Sequence, residues 1–462
     1  MAYTKFYNVC KMINPASKFG VLLLLCFSFN AFGQHNANNV LGSYGIGETN
    51  LDSHSSYAGM GNTSGAQIDS LNVNFYNPSS YSSIAKGLPV FSVGFDSQLQ
   101  IFNENGRKEK SSYSQINHFA FGISFAKILG FAFGIRPFSR DNYSIAESQV
   151  LSPTVTMRHD LVGTGNTNLF FGGLSVNALN FKHHKLGIGF NAGYLFGSTV
   201  NKQLSYIDKG AVINPGTMFQ TTHFLKSFYY ETGFNYQYLT TNDQFILGVN
   251  YRPAQKLAGN FIYEKAYATD LNDFDHYSFV ESDQTSGKIY LPQSLTVGFQ
   301  YRMNVHRSET NSKLNSRLSF AIDYKMSDWS NYREDFGANS VPYDFKNTNT
   351  IAFGVEYIPQ QRFLDRATTG YMSKVRYRIG GNFASLPYVI DNSQLKRQTF
   401  TVGFGFPFLV MRSTTAINFS VSYSNQSAAN VPHYNEKFVS FSLGISIAPS
   451  INDRWFRKYK IN

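Results

Sequence analysis

Ten histidines, two cysteines and 29 acidic residues are what this 462-residue chain offers for catalysis or metal binding. Nucleophilic catalysis needs a serine or cysteine with a histidine in reach and a carboxylate to orient it. The histidines are scattered, His183-His184 falls in a tight turn, and no Ser, His and acid set stands out, so no enzyme is expected. The acidic run DLNDFD, with Asp270, Asp273 and Asp275, offers oxygens to calcium but lacks the spacing of a calcium loop and reads as a solvated loop. There is no phosphate loop, zinc pattern or nucleic-acid motif. Neither cofactor, metal nor nucleic acid is therefore expected. The remaining chemistry is charge. Asp96, Arg136, Glu231, Arg252, Arg302, Arg317, Asp323, Lys325, Glu356, Arg376 and Arg378 all fall on the small-residue face of an alternating segment. Charges sharing an enclosed space must pair or stay wet. Two readings follow: a structural network, or a clamp for an anionic head group built on Arg302, Arg376 and Arg378.

Those segments are strands. In Phe91 to Ile101 the odd positions are Phe91, Val93, Phe95, Leu99 and Ile101, broken only by Ser97, and the even ones are polar or Gly. Phe400, Val402, Phe404, Phe406 and Phe408 oppose Thr401, Gly403, Gly405 and Pro407. Val439 to Ile447 repeats the dyad. A soluble sheet alternates too, but it shows Lys, Glu and Thr to water. Here the polar face is Gly, Ser, Ala and Asn, which suits a crowded wet lumen. The large apolar face suits lipid, and Tyr301, Tyr324, Tyr357 and Tyr423 suit an aromatic girdle. The fold class expected is all-β, an antiparallel transmembrane β-barrel. Its strands are predicted at 88–102, 113–125, 130–138, 166–181, 185–199, 219–239, 244–265, 288–303, 315–329, 348–359, 374–385, 397–410, 414–424 and 437–448. Fourteen is even, as closure requires. The extended-looking TVTMRHDLV within 139–165 leaves sixteen as the alternative.

Connections 103–112, 139–165, 200–218 and 266–287 are long, whereas 126–129, 182–184 and 240–243 are tight. Short turns belong to the periplasmic side. The later connections 304–314 and 360–373 blur the contrast. Lys127, Lys182, Lys185, Arg307, Lys313, Arg362, Arg366 and Arg412 make the periplasmic side basic, as Arg454, Arg457, Lys458 and Lys460 do the tail. The loop 266–287 is acidic.

The ends agree with export. Lys5, Lys11 and Lys18 precede the apolar run FGVLLLLCFSF and then Ala31-Phe32-Gly33, the pattern of a cleaved signal peptide over 1–33. The mature chain would begin at Gln34, and translation at Met1 or Met12. Cys10 and Cys26 fall inside the signal, so no disulfide is expected. The net charge of +11 becomes about +8 without the signal's three lysines, and export argues against a nucleic-acid partner. The tail 449–462, with Trp455, Phe456 and Tyr459 among its bases, is expected at the periplasmic interface.

Residues 34–87 contain nothing that pairs in a wall. The stretch SSYAGMGNTSGAQIDSLNVNFYNPSSYSS is small, polar and Gly-rich. A fourteen-stranded ring is wider than its own side chains fill. This segment is therefore read as a plug, starting on the periplasmic side and seated by polar contacts rather than by an apolar core. Gly59, Gly61 and Gly65 permit close approach, and Asn77-Pro78 marks a turn. Pro137, inside an alternating wall with no backbone donor, predicts a bulge where strand three parts from a neighbour.

YAGMGNTSGAQIDS followed by NVNFYNPSSY resembles the plug signature of the FadL/TodX-type outer-membrane channels, with Ser79 in place of the usual Ala. Pro137-Phe138 with Tyr143, LPQSLTVGFQY at 291–301, AIDYKMSDWSNY at 321–332 and the tail DRWFRKYKIN add to the resemblance, which spans most of the mature chain. It implies a fourteen-stranded barrel over 88–448 with an N-terminal hatch over 34–87, in the outer membrane of a Gram-negative bacterium. It implies passive uptake of small hydrophobic ligands and their lateral release into outer-membrane lipid. Asn74, Phe75, Asn77 and Pro78 would form the gate, against a plain turn, and Pro137 and Phe138 the lateral opening. Divergent relatives in type IX secretion bind protein partners instead, so an accessory barrel docking a protein is the alternative.

Overall fold

A computed structural model describes residues 39–49, 54–104, 107–125, 128–208, 213–268, 277–306, 316–337, 340, 342–359, 370–410 and 413–449. The signal peptide, the tail, the acidic run at 270–275 and the bases Lys127, Arg307, Lys313, Arg362, Arg366 and Arg412 lie outside them.

The alternating segments become fourteen wall strands. They are β1 (Val90–Glu104), β2 (Arg107–Phe125), β3 (Leu129–Arg140), β4 (Val155–Phe181), β5 (His184–Asp208), β6 (Ile213–Leu239), β7 (Asp243–Arg252 and Gln255–Ala268), β8 (Tyr277–Leu291 and Ser294–His306), β9 (Ser316–Ser327), β10 (Thr348–Ile358), β11 (Arg376–Ile390), β12 (Ser393–Val410), β13 (Ser413–Ala428) and β14 (Val431–Ala448). Each pairs antiparallel with the next, and β14 returns to β1 from Ile447↔Phe91 to Asn435↔Asn103, closing the ring. Closure pairs every wall strand on both sides over at least part of its length, as a bilayer demands. β7 and β8 are each broken once, beside Pro253 and Pro292, where no amide hydrogen is available for the ladder.

Phe170, Leu174, Phe190, Phe228, Phe234, Leu247, Phe299, Ile322, Phe353 and Phe400 are exposed on the outer face. Ser92, Ala120, Ala132, Asn191, Asn418 and Ser420 are buried on the inner one. Tyr324, Tyr357 and Tyr423 are exposed, as a girdle requires. No helix among the described residues is long and apolar enough to cross a membrane; the strands are the spanning elements.

Within 139–165 the extended TVTMRHDLV becomes the outer part of β4, and a further strand, Tyr143–Ser152, pairs with that part and adds nothing to the ring. The count is therefore fourteen and not sixteen. β4, β5 and β6 hold 27, 25 and 27 residues, against about 9–11 for a membrane crossing. They rise well beyond the apolar band on the side of the long connections.

The segment before β1 runs through the ring. Asn39 donates its amide to Asn142 O at 2.9 Å and Glu48–Thr49 pairs with Arg140 and Ser139, all at the long-connection end. Lys86 bridges to Ser124 at the short-turn end. The expectation that this segment begins at the short-turn end therefore fails from Asn39 onward. The buried guanidiniums of Arg140 and Arg397 at the far end call for a carboxylate, and Glu48 supplies it.

A second expectation also needs correction. Val73, Phe75, Tyr81 and Ile84 are buried in one apolar cluster with Val90, Ala120, Ala132, Leu169, Phe171 and Leu195. The segment is seated by an apolar core as well as by polar contacts. The wall there is lined by small side chains, so space remains for large ones from within.

Candidate functional site

The inner segment is bonded around the ring. Asp323 on β9 accepts the amides of Ser64 at 2.6 Å and Gly65 at 2.8 Å on one carboxylate oxygen. Lys325 donates to Asn62 O, Asn382 on β11 to Gly61 O and Asn235 on β6 to Ser79 O. Ser446 on β14 donates to Asn72 Oδ1 at 2.6 Å. Gly61 has φ +66°, and a Cβ there would strike the carbonyls of Gly381 and Phe353. Only glycine permits that approach.

Asn74, Phe75, Asn77 and Pro78 are brought together at the heart of this segment. Asn74 donates to Ser64 O at 2.7 Å and Gln67 O at 2.9 Å. Asn77 donates to Gly65 O at 2.6 Å, and its Oδ1 caps the short 3-10 helix Pro78–Ser83 by accepting from the Ser79 amide. The Phe75 ring lies 4.9 Å from His54, 5.0 Å from His118 and 5.6 Å from Phe171. The Arg136 guanidinium sits 4.7 Å from the Tyr76 ring centre. The turn is thus a fully bonded joint between the segment's two halves.

Pro137 and Phe138 lie in β3 beyond its last pair with β2. β2 and β3 pair from Phe125↔Leu129 to Phe119↔Ile135, and no ladder joins them further out among the described residues. Asn117 is an extra residue in β2 opposite β1. Phe138 is an extra residue in β3, between the pairs Pro137↔Asn168 and Ser139↔Thr167. Each of the two strands thus carries a bulge, against its other neighbour, beyond the point where they part. Phe138 turns inward and is buried, 5.9 Å from the Tyr229 ring.

Glu48–Thr49 fills the parting. Glu48 bonds Arg140 at 2.8 Å and Arg397 at 3.2 Å and accepts from Asn39. The Arg140 guanidinium lies 3.9 Å from the Tyr113 ring centre, spanning from β3 to β2. Burial alone would raise the Glu48 carboxyl, but the two arginines bring it down to about 2. Burial likewise lowers the inner segment's His54 to about 3, leaving it neutral.

The lumen charges fall at separate levels. Asp96, Arg136 and Arg252 line a 270 Å³ cavity above the segment, with Glu48 and Arg140. Arg302, Arg376 and Arg378 line another, of 590 Å³, at the short-turn end. Asp323 lies between, seating the segment. No single charged track joins them. A third cleft of 970 Å³ opens at the long-connection end, lined by Leu41, Tyr44, Phe102, Tyr343, Phe345 and Tyr388. It reaches β2 at Glu109–Ser111 and the residues after β3 at Ser144–Ala146, on the outer side of the parting.

Sequence reasoning missed Glu48, Arg140, Arg397 and Tyr113. Strand parity could have found Arg397, which shares the inward face of Thr399 and Thr401. Glu48 carries no periodic signal.

The sequence model of the BamG family matches residues 12–462. No curated protein matches the chain. Among solved structures, a FadL homologue of Pseudomonas aeruginosa is similar at 14% identity, covering 87% of this chain and 99% of that one, with a TM-score of 0.52. The Pseudomonas putida toluene transporter TodX matches at 15% identity, with 87% and 99% covered and a TM-score of 0.52. The Ralstonia pickettii toluene transporter TbuX matches at 13% identity, with 87% and 100% covered and a TM-score of 0.52. At such identities the likeness is one of fold alone, a closed antiparallel barrel. The sequence signature is more specific, and by it the chain belongs to the BamG family.

Proposed function

We propose that this barrel takes up small hydrophobic compounds at its outer cleft and releases them sideways into the outer membrane of a Gram-negative bacterium. Residues 34–87 act as the plug, and the joint at Asn74, Phe75, Asn77 and Pro78 as the part that must give. The observation carrying this reading is the parting of β2 from β3 beneath an aromatic cleft. Unpaired backbone in hydrocarbon costs several kcal/mol unless covered. Covering it with a removable two-residue strand makes a closed door rather than a fault. An apolar molecule leaving there would avoid the aqueous periplasm. TodX and TbuX, toluene transporters by name, have the same fold.

The test is a staple. Thr49 and Ser139 are register partners, and antiparallel partners lie about 4.5–5.5 Å apart at Cα, within disulfide range. The oxidised Thr49→Cys/Ser139→Cys protein should take up a fluorescent hydrocarbon at least about tenfold more slowly than the reduced form, because about 1.4 kcal/mol on the opening step suffices. Equal rates would sink the lateral route.

A second reading, an accessory barrel that docks a protein, is favoured by the outward rise of β4–β6 and the strand Tyr143–Ser152. That strand pairs with the outer part of β4 beyond the ring, and strands that rise from a barrel offer backbone for pairing with another chain. Under that reading, purified protein would carry a partner chain in native mass spectrometry and the staple would leave uptake unchanged.

A further inference from the structure

The cavity at the short-turn end is unbalanced in charge. Its 590 Å³ lie between the inner segment and the wall, with Arg302, Arg317, Arg376 and Arg378 facing only Asp69 and Glu356, and with three lysines on the lining. Two of the arginines have carboxylates of their own. Arg376 meets Asp69 at 3.1 Å, and Arg378 meets Glu356 at 2.8 Å and Asn418 at 2.8 Å. Arg317 shares Glu356 with Arg378, and Arg302 meets no carboxylate among the described residues. Arg302 donates only to neutral oxygens, those of Ile68 at 2.5 Å, Gln300 at 3.1 Å and Gln244 at 3.5 Å. Arg317 reaches the second oxygen of Glu356 at 3.5 Å, and its buried Nε has no acceptor.

Surplus, partly buried cations are stabilised when an anion joins them, and a positively lined cavity raises the local concentration of anions. Guanidinium groups present paired N–H donors that match the oxygens of phosphate. We propose that this chamber binds a phosphate group, held by Arg302 and Arg317. A purely structural network would share its carboxylates more evenly among the four arginines. The chamber lies on the opposite side of the inner segment from the parting, so the proposal is independent of the lateral route. The phosphate could arrive as the headgroup of an anionic lipid or as a free ion.

The full chain in neutral detergent would be titrated calorimetrically with dioctanoyl phosphatidic acid, with dioctanoyl phosphatidylcholine and with inorganic phosphate. Phosphatidic acid or inorganic phosphate should bind, more weakly as salt is raised. Arg317→Gln should weaken binding by about tenfold or more, the loss of a charge-assisted hydrogen bond, and Arg317→Lys should restore part of it. Binding of phosphatidic acid alone would assign a lipid headgroup, and binding of inorganic phosphate as well a free anion. Heat-modifiable gel migration would verify that each variant is folded, with Arg302→Gln as the second. No binding of either anion, equal affinity for phosphatidylcholine, or full affinity in both folded variants would overturn the proposal.

Discussion

Asp323→Ala should free the middle of the inner segment without unfolding the wall. One carboxylate oxygen holds the amides of Ser64 and Gly65. Hydrogen bonds to a charged group contribute about 1.5–3 kcal/mol each, so losing both costs roughly 3–6 kcal/mol locally. Amide exchange at Ser64 and Gly65 should then quicken by about 10²–10⁴-fold. The ladder partners of residue 323, Gly298 and Ala352, keep their backbone bonds, so their exchange should stay slow. Ionic leak through single proteins in planar bilayers should rise as well. Unchanged exchange at both amides would show that the segment is held by its apolar contacts alone.

Glu48→Ala should open the parting between β2 and β3. The side chains of Arg140 and Arg397 are 11% and 12% exposed, and Glu48 is the acid that both of them bond. Removing one partner from a buried charge set costs about 3–5 kcal/mol. The two-residue strand should leave, and a cysteine at Ser139→Cys should become reactive to a water-soluble maleimide. With Glu48 intact that thiol should stay protected. The carboxyl's folded value, about 2, lies below its ordinary 4.5. Its contribution is therefore complete above pH 4.5 and is lost as pH falls through about 2. In the Glu48 protein, reaction of the thiol with a dithiodipyridine, which still reacts with thiols in acid, should begin only in that acid range, while Glu48→Ala should label at neutral pH. Slow labelling of Glu48→Ala at neutral pH would mean that something other than the ion pairs closes the gap.

The wall was legible because lipid on one side and small polar groups on the other force a period of two. Phe400 to Phe408 shows it as sequence and as structure. Pro137 was legible for a different reason: its missing donor is a local property, and the bulge follows at Phe138. The outer reaches of β4, β5 and β6 were underestimated. The reading began β4 at 166, yet it starts at Val155. Beyond the bilayer both faces meet water or protein, and Thr156, Arg158 and Asp160 no longer alternate against lipid. The seat of the inner segment was half legible. Its glycines announced close approach, but the burial of Val73, Phe75 and Tyr81 depends on small wall residues a hundred positions away. Glu48 was invisible because its partners, Arg140 and Arg397, are brought to it only by ring closure.

The passage of the inner segment from one mouth to the other sets an order of events during biogenesis. The segment leads directly into β1, and β1 finds its second neighbour only in β14, the last strand of the ring. Pulling a chain through a finished hoop is a form of threading that folds avoid. The segment must lie along the curling sheet first, with Asn72 and Ser446 meeting as the seam between β14 and β1 zips shut. The seam is thus the final stitch, and the part that looks like an insert is the mandrel around which the hoop is bent.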